Sequence, residues 1–223
     1  MCSSDTLSLL LDEYHVDIDC RGPLSLAVIS GNAASVERVL QCREIEVNDR
    51  CLDGLSALVY ALKHLEYYAL QLLLADSRVD VNFADSLGWT PLQAAVLEGD
   101  HIAAQMLVRH AGIDINYQSS HNDAPLLLTV RWLHGQQAVL MVDSLLMHSK
   151  LDVNISDSNG QTALWHAVNR GDYDLAKLLL RQSHLRLNDP DRYGVTPLAR
   201  AAESPVLSCL HFGLHAAQAT LPQ

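Results

Sequence analysis

Apolar residues recur along the chain in pairs of short clusters, each pair followed by a polar stretch that contains glycine or asparagine. The segment from Gly88 to Asp100, GWTPLQAAVLEGD, holds one such first cluster, centred on Leu92. Equivalent leucines lie at a similar spacing before and after it: Leu24, Leu58, Leu126, Leu164 and Leu198. The second cluster carries apolar residues one helical turn apart, as in Ala104, Leu107 and Val108. Helical spacing in both clusters predicts two short helices in every unit.

Each unit closes with a valine, isoleucine or leucine followed by asparagine. The closing asparagines are Asn48, Asn82, Asn116, Asn154 and Asn188. They are separated by 34, 34, 38 and 34 residues, and each lies ten residues before the next aligned leucine. A fixed period with fixed internal landmarks predicts a repeat protein, whose units are too short to bury an apolar face alone and therefore stack.

Capping residues flank the predicted helices. Thr90–Pro91 and Thr196–Pro197 each place a hydroxyl before a proline at the first helical position. Gly99 suits the left-handed residue that ends a helix, and Asp100 can cap the helix that follows. The segment Asp157–Gly160, after an asparagine, has the composition of a tight turn. The sequence therefore predicts that one unit consists of a helix, a turn, a second helix and an extended finger.

The segments GWTPLQAAVLEGD, GQTALWHAVNRGD and YGVTPLARAA, together with the paired leucines and closing asparagines, resemble ankyrin repeats. The resemblance runs from about Asp19 to Ala202. It implies an all-α ankyrin-repeat solenoid of helix–turn–helix units with short β-hairpin fingers. We predict an N-terminal half-repeat cap over residues 1–19 and five repeats over residues 20–190. A degenerate C-terminal repeat or cap is predicted over residues 191–223.

The fourth repeat is four residues longer than its neighbours, with the excess between Leu126 and Val142. Four residues amount to about one helical turn, roughly 5–6 Å. The segment places Arg131 and Trp132 near an irregular helix–helix junction. An insertion in a repeat often lies on the binding side, although a harmless loop insertion explains the length as well.

The resemblance implies a concave binding face, formed by the fingers and by positions two, five and six after the aligned leucine. Aromatic residues and arginine dominate binding energy at protein interfaces. The predicted binding residues are Tyr60, Trp89, Leu97, Leu128, Arg131, Trp132, Trp165, His166, Arg170 and Tyr193. Tyr60 and Trp165 can instead fill gaps between repeats. Local positive charge at Arg131 and Arg170 favours a partner with an anionic group.

Charge and composition narrow the class of partner. The chain has 15 basic against 26 acidic residues and a formal net charge of -11, which argues against binding nucleic acid or an anionic membrane. We expect neither a secretory signal nor a membrane-spanning segment. We expect another protein as partner, with a small-molecule ligand as an alternative. The expected location is intracellular and cytoplasmic, with the nucleus as an alternative.

Chemical motifs are few. Neither a nucleotide-binding loop nor a hydrolase elbow occurs, and we predict no cofactor. Cys209, His211 and His215 could hold zinc if their segment is helical, but Gly213 weakens that helix, so we predict no metal.

Weak catalytic candidates are His64 and His166, with Glu98 as the carboxylate beside them, but we assign no catalytic residue. We expect a binding module rather than an enzyme. One alternative is a small-molecule binding protein or an unusual enzyme of the cyclase, isomerase or hydrolase type. Another is an adaptor that dimerises through the apolar segment near Leu207 to Leu214.

Overall fold

The computed structural model describes residues 22–120 and 122–202 of the chain. Two compact units divide it, residues 1–114 and 115–223. The described residues form eleven helices and two isolated antiparallel bridges, without a longer strand. The predicted half-repeat over residues 1–19, the segment with Cys209, His211 and His215, and the apolar segment near Leu207 all lie outside the described residues.

The first unit stacks three helix pairs in two rows. Its helices are α1 (Pro23–Ile29), α2 (Ala33–Gln41), α3 (Ala57–Lys63), α4 (Tyr67–Ala75), α5 (Pro91–Leu97) and α6 (His101–Val108). The first helices α1, α3 and α5 pack in sequence, and the second helices α2, α4 and α6 do the same. Each first helix also packs on its own second helix, which is the pairing expected from the sequence.

The second unit follows the same plan. Its helices are α7 (Pro125–Trp132), α8 (Gly135–Leu146), α9 (Ala163–Arg170), α10 (Tyr173–Leu179) and α11 (Pro197–Ala202). Helix α9 packs between α7 and α11, and α8 packs on α10. Each first helix of this unit therefore packs on a neighbouring first helix.

The aligned leucines form the core of the repeats. Five of them are at most 3% exposed: Leu24, Leu58, Leu92, Leu126 and Leu164. Burying a leucine side chain stabilises a fold by about 1.5–3 kcal/mol. The repeated leucine is therefore a packing residue, which explains its fixed spacing.

The predicted caps are present. Thr90 and Gln93 form a capping box at the start of α5. The carboxylate of Asp100 accepts the backbone N–H groups of Ile102 and Ala103 at the start of α6. These side chains satisfy donors that a helix leaves free in its first turn.

The closing asparagines have a role that the sequence did not reveal. Asn82 Nδ2 donates to the carbonyl oxygen of Gly112 at 2.8 Å, and its Oδ1 accepts from the N–H of Asp114 at 2.8 Å. The same pair of bonds is made by Asn48, Asn116 and Asn154. Each asparagine thus satisfies one backbone donor and one acceptor in the next repeat.

The four additional residues of the fourth repeat lie between two such asparagine bridges. The bond from Asn116 reaches 34 residues ahead to Lys150, whereas the bonds from Asn48, Asn82 and Asn154 reach 30 residues ahead. Helix α8 has 12 residues, against seven to nine in the other second helices. The extra length is taken up by a longer helix, and the fingers keep their register.

Candidate functional site

In the second unit, His166 on α9 lies against a carboxylate of the preceding finger. Its Nε2 is 3.0 Å from Oδ2 of Asp157, and the two side chains are 12% and 6% exposed. Because a carboxylate only accepts hydrogen bonds, His166 donates from Nε2. The sequence assigned this position to Glu98; the structure places Asp157 there. The sequence did contain a signal for this contact, since Asp157 starts the turn that precedes α9.

Burial lowers the pKa of His166 below its ordinary value. The hydrogen bond and charge of Asp157 oppose that effect, whereas the charges of Arg131 and Arg170 add to it. His166 is therefore a neutral imidazole at neutral pH. Asp157 Oδ1 also accepts the N–H groups of Asn159 and Gln161. The pair accordingly holds the finger against α9.

Arg170 closes the end of the neighbouring helix. Its guanidinium donates to the carbonyl oxygen of Val130, to that of Leu133 at 2.8 Å, and to Nδ1 of His134. Leu133 and His134 are extended, so α7 ends without a left-handed residue. The last carbonyls of a helix lack partners within it, and Arg170 supplies them from the next repeat. The sequence treated Arg170 only as a binding residue.

Two residues at the end of α7 differ sharply in their surroundings. Arg131 forms an ion pair with Asp123, and their side chains are 34% and 13% exposed. Trp132, the last residue of α7, is 61% exposed. More than half of the Trp132 surface is therefore open to solvent.

Other predicted binding residues of the second unit are divided between core and surface. Leu128 and Trp165 are 1% and 8% exposed, so both pack largely inside the unit. The guanidinium of Arg200 lies 5.8 Å from the ring of Trp165. Tyr193, at a finger tip, is 70% exposed, and Arg192 covers its ring at 4.7 Å.

In the first unit, the predicted site residues form no comparable cluster. Tyr60 donates to Oδ2 of Asp53 at 2.5 Å, and the ring of His64 stacks on that of Tyr60 with centroids 6.1 Å apart. Trp89 is half-buried in its finger, Leu97 is 43% exposed, and Glu98 is exposed at the end of α5.

The two units differ in charge. Residues 22–114 contain twelve acidic and six basic residues, whereas residues 115–202 contain eight of each. Helices α7, α9 and α11 contain no aspartate or glutamate, and each carries one arginine: Arg131, Arg170 and Arg200. The first helices of the second unit therefore carry a net positive charge, although most basic residues of that unit lie elsewhere.

Within the described ranges, no three histidine, cysteine, aspartate or glutamate side chains come together as ligands for a metal ion. Over the same residues, every helix is too short or too polar to span a bilayer.

Comparison with known proteins agrees with this architecture. The family described as "Ankyrin repeats (3 copies)" matches residues 24–119 and 129–212. Among solved structures, the ankyrin repeat protein EF0377 is 20% identical, with a TM-score of 0.71, over 89% of this chain and 97% of its own. The ankyrin repeat domain of Bcl-3, a member of the IkappaB family, is 24% identical, with a TM-score of 0.76, over 92% of this chain and 90% of its own. These likenesses show the fold. Because the family match spans most of the sequence, this chain belongs to the ankyrin-repeat family, with an all-α fold.

Proposed function

We propose that the chain binds a partner protein through the face of its second unit formed by α7, α9 and α11, with Trp132 as the main apolar contact. Ankyrin repeats generally serve as protein–protein interaction modules, which sets the functional class of the chain. The face formed by first helices is the concave face of such repeats. The exposure of Trp132 is the observation that carries the proposal.

The pattern of burial along the first helices supports this choice of face. The second position after the aligned leucine is buried at Leu26, Ala94 and Leu128. The fifth and sixth positions are more open, with Trp132 exposed and Arg131 half-buried. Asn169, at the fifth position in the next repeat, is exposed as well. A partner would therefore contact the C-terminal ends of the first helices.

Rigidity at this place also favours binding. Arg170 fixes the carbonyl groups on both sides of Trp132, at Val130 and Leu133. A backbone segment that is already held loses less conformational entropy when a partner binds to it. Large aromatic residues are typical of binding hot spots.

Affinity capture with the full chain tests the proposal. Trp132→Ala is compared with wild type and with Tyr173→Ala, which removes a 49% exposed aromatic residue from the second helix α10 of the same unit. We expect a specific partner to bind Trp132→Ala at least about tenfold more weakly, and Tyr173→Ala with unchanged affinity. Equal binding of the partner to both variants and wild type would contradict the proposed face.

A further inference from the structure

We infer that Asn159 is a site of non-enzymatic deamidation. The contact between its finger turn, residues 157–160, and the finger turn of the next repeat, residues 191–194, controls the rate. Asn159 is the only asparagine of the chain that is followed by glycine. Because glycine has no side chain, the backbone nitrogen of Gly160 can approach the side-chain amide of Asn159 with little steric hindrance. A modification site of this kind goes beyond the proposed binding function.

The reaction is an internal condensation followed by hydrolysis. The backbone nitrogen of Gly160 attacks Cγ of Asn159, and the new C–N bond closes a succinimide ring. The side-chain nitrogen leaves as ammonia, which takes up the proton of the Gly160 N–H. Water then opens the ring at either carbonyl carbon and gives aspartate or isoaspartate at position 159. Water is the only co-reactant, and both products carry a new carboxylate.

The side chain of Asn159 is held less firmly than those of the bridging asparagines. In Asn82, both the nitrogen and the oxygen of the amide bond to the backbone of the next repeat. Among the described residues, Asn159 forms its hydrogen bonds through its backbone, with Oδ1 of Asp157 and with the N–H of Arg192. Its half-buried amide group can therefore turn towards Gly160 without breaking a hydrogen bond of its own.

The backbone at Gly160, in contrast, is held by its own turn and by the next finger. Its N–H donates to the carbonyl oxygen of Asp157 at 2.9 Å, and the N–H of Arg192 donates to the carbonyl oxygen of Asn159 at 2.8 Å. A Cβ atom placed on Gly160 would lie 3.3 Å from the backbone of Asp191 and of Arg192, so the two turns are in close contact. Ring closure breaks these bonds, and it therefore requires local opening of the two turns.

The products weaken the contact in which they form. Asp157 and Asp191 are 9% and 7% exposed, and the backbone of Asp191 lies against Gly160. A further carboxylate at position 159 adds a like charge between these two. Isoaspartate also lengthens the backbone by a methylene group, which the turn over residues 157–160 does not fit with its present hydrogen bonds. Deamidation is thus a one-way change that loosens the repeat of α11.

Peptide mass mapping of the full chain, incubated at mildly alkaline pH, provides the test. Deamidation is detected at Asn159 by the change in mass that accompanies loss of ammonia and gain of water. We expect the folded wild type to react at least about tenfold more slowly than the same chain unfolded in urea, because the folded turns must open first. Asn159→Gln should remove the signal from this peptide, which assigns it.

A matched pair of variants tests the control by the neighbouring turn. Asp191→Ala removes the oxygen that accepts the N–H groups of Tyr193 and Val195, and it should raise the rate at Asn159 at least about threefold. Asp85→Ala removes the same two bonds from a turn of the first unit and should leave that rate unchanged.

Each contrary outcome overturns a stated part of the proposal. Absence of deamidation at Asn159 in the urea-unfolded chain would remove the site. Equal rates in the folded and unfolded chain would remove the control by folding, and equal acceleration by both variants would remove the role of this contact. Circular dichroism shows whether each variant is folded. If Asp191→Ala is unfolded, wild type in urea below its unfolding transition replaces it, and a rate that rises only with global unfolding would overturn local control.

Discussion

The two units end their first helices in different ways. In the first unit, a left-handed residue follows each of them: Gly31 (φ +67°), Leu65 (φ +57°) and Gly99 (φ +70°). In the second unit, α9 ends similarly, but α7 runs into extended residues and is capped by Arg170 from the next repeat. The last carbonyls are thus satisfied locally at the first helices of the first unit and at α9, and by a distant side chain at α7.

A second arginine caps a helix of the first unit in a similar way. In the first unit, Arg78 donates to the carbonyl oxygens of Leu40 and Cys42 near the end of α2, at 2.5 and 3.0 Å. It also pairs with Asp76 at 2.7 Å, and this bond lowers the pKa of Asp76. Both arginines therefore cap a helix of the preceding repeat, but Arg78 also has a carboxylate partner, whereas the acceptors of Arg170 are two backbone carbonyls and the imidazole of His134.

The largest effect on stability is expected when the side chain that caps α7 is removed. We expect Arg170→Met to lower the free energy of unfolding by about 2 kcal/mol, because it leaves two carbonyls without a donor. Arg170→Lys should recover only part of that loss, since a lysine ammonium group lacks the planar set of donors with which arginine reaches both carbonyl oxygens. Urea denaturation measures the change, with Arg181→Met at an exposed position as control. A loss no larger than that of the control would remove the capping role.

A smaller effect should appear as a pH dependence of the second unit. The unfolded chain protonates His166 near pH 6.5, whereas the folded chain does so only at lower pH. Since the unfolded state then binds more protons, the free energy of unfolding contributed by this residue falls as pH drops below about 6.5. Above about pH 6.5, the contribution of His166 to the free energy of unfolding does not change with pH.

Comparison of wild type with His166→Gln isolates this dependence, because glutamine can still donate to Asp157 but does not titrate. The difference in stability between the two proteins should shift in favour of the variant from pH 7.5 to 5.5. Titration of His166 by NMR gives the direction independently. A pKa above 6.5 in the folded protein would show that Asp157 outweighs burial and the two arginines.

The smallest effect concerns the first unit, where Leu65 takes the left-handed position that glycine holds in Gly31 and Gly99. A leucine is strained there, and its side chain is 57% exposed, so it gains little from burial. We expect Leu65→Gly to stabilise the protein by about 0.5 kcal/mol in thermal or urea unfolding. Gly99→Ala, the opposite change at the matching site, should destabilise it by about 1 kcal/mol.

Local features were predictable from sequence because they depend on neighbouring residues. The cap by Asp100, the left-handed Gly99 and the repeated Leu92 follow from spacing alone. The roles of Arg170 and Asp157 depend on contacts between different segments, and a single sequence does not specify them. Leu128 and Trp165 were predicted to face a partner, yet a first helix packed between two others buries more of its surface than one face alone would suggest.

The asparagine bridges and the longer helix α8 together indicate which insertions such a chain can accept during evolution. Four residues advance a helix by about 400°, which returns the following side chains almost to their starting direction. The apolar stripe of α8 therefore stays aligned after the insertion, and Asn116 still meets the backbone of Lys150. An insertion of two residues would rotate that stripe by about 200° and turn it to solvent. Changes in repeat length are consequently tolerated in steps of a whole helical turn.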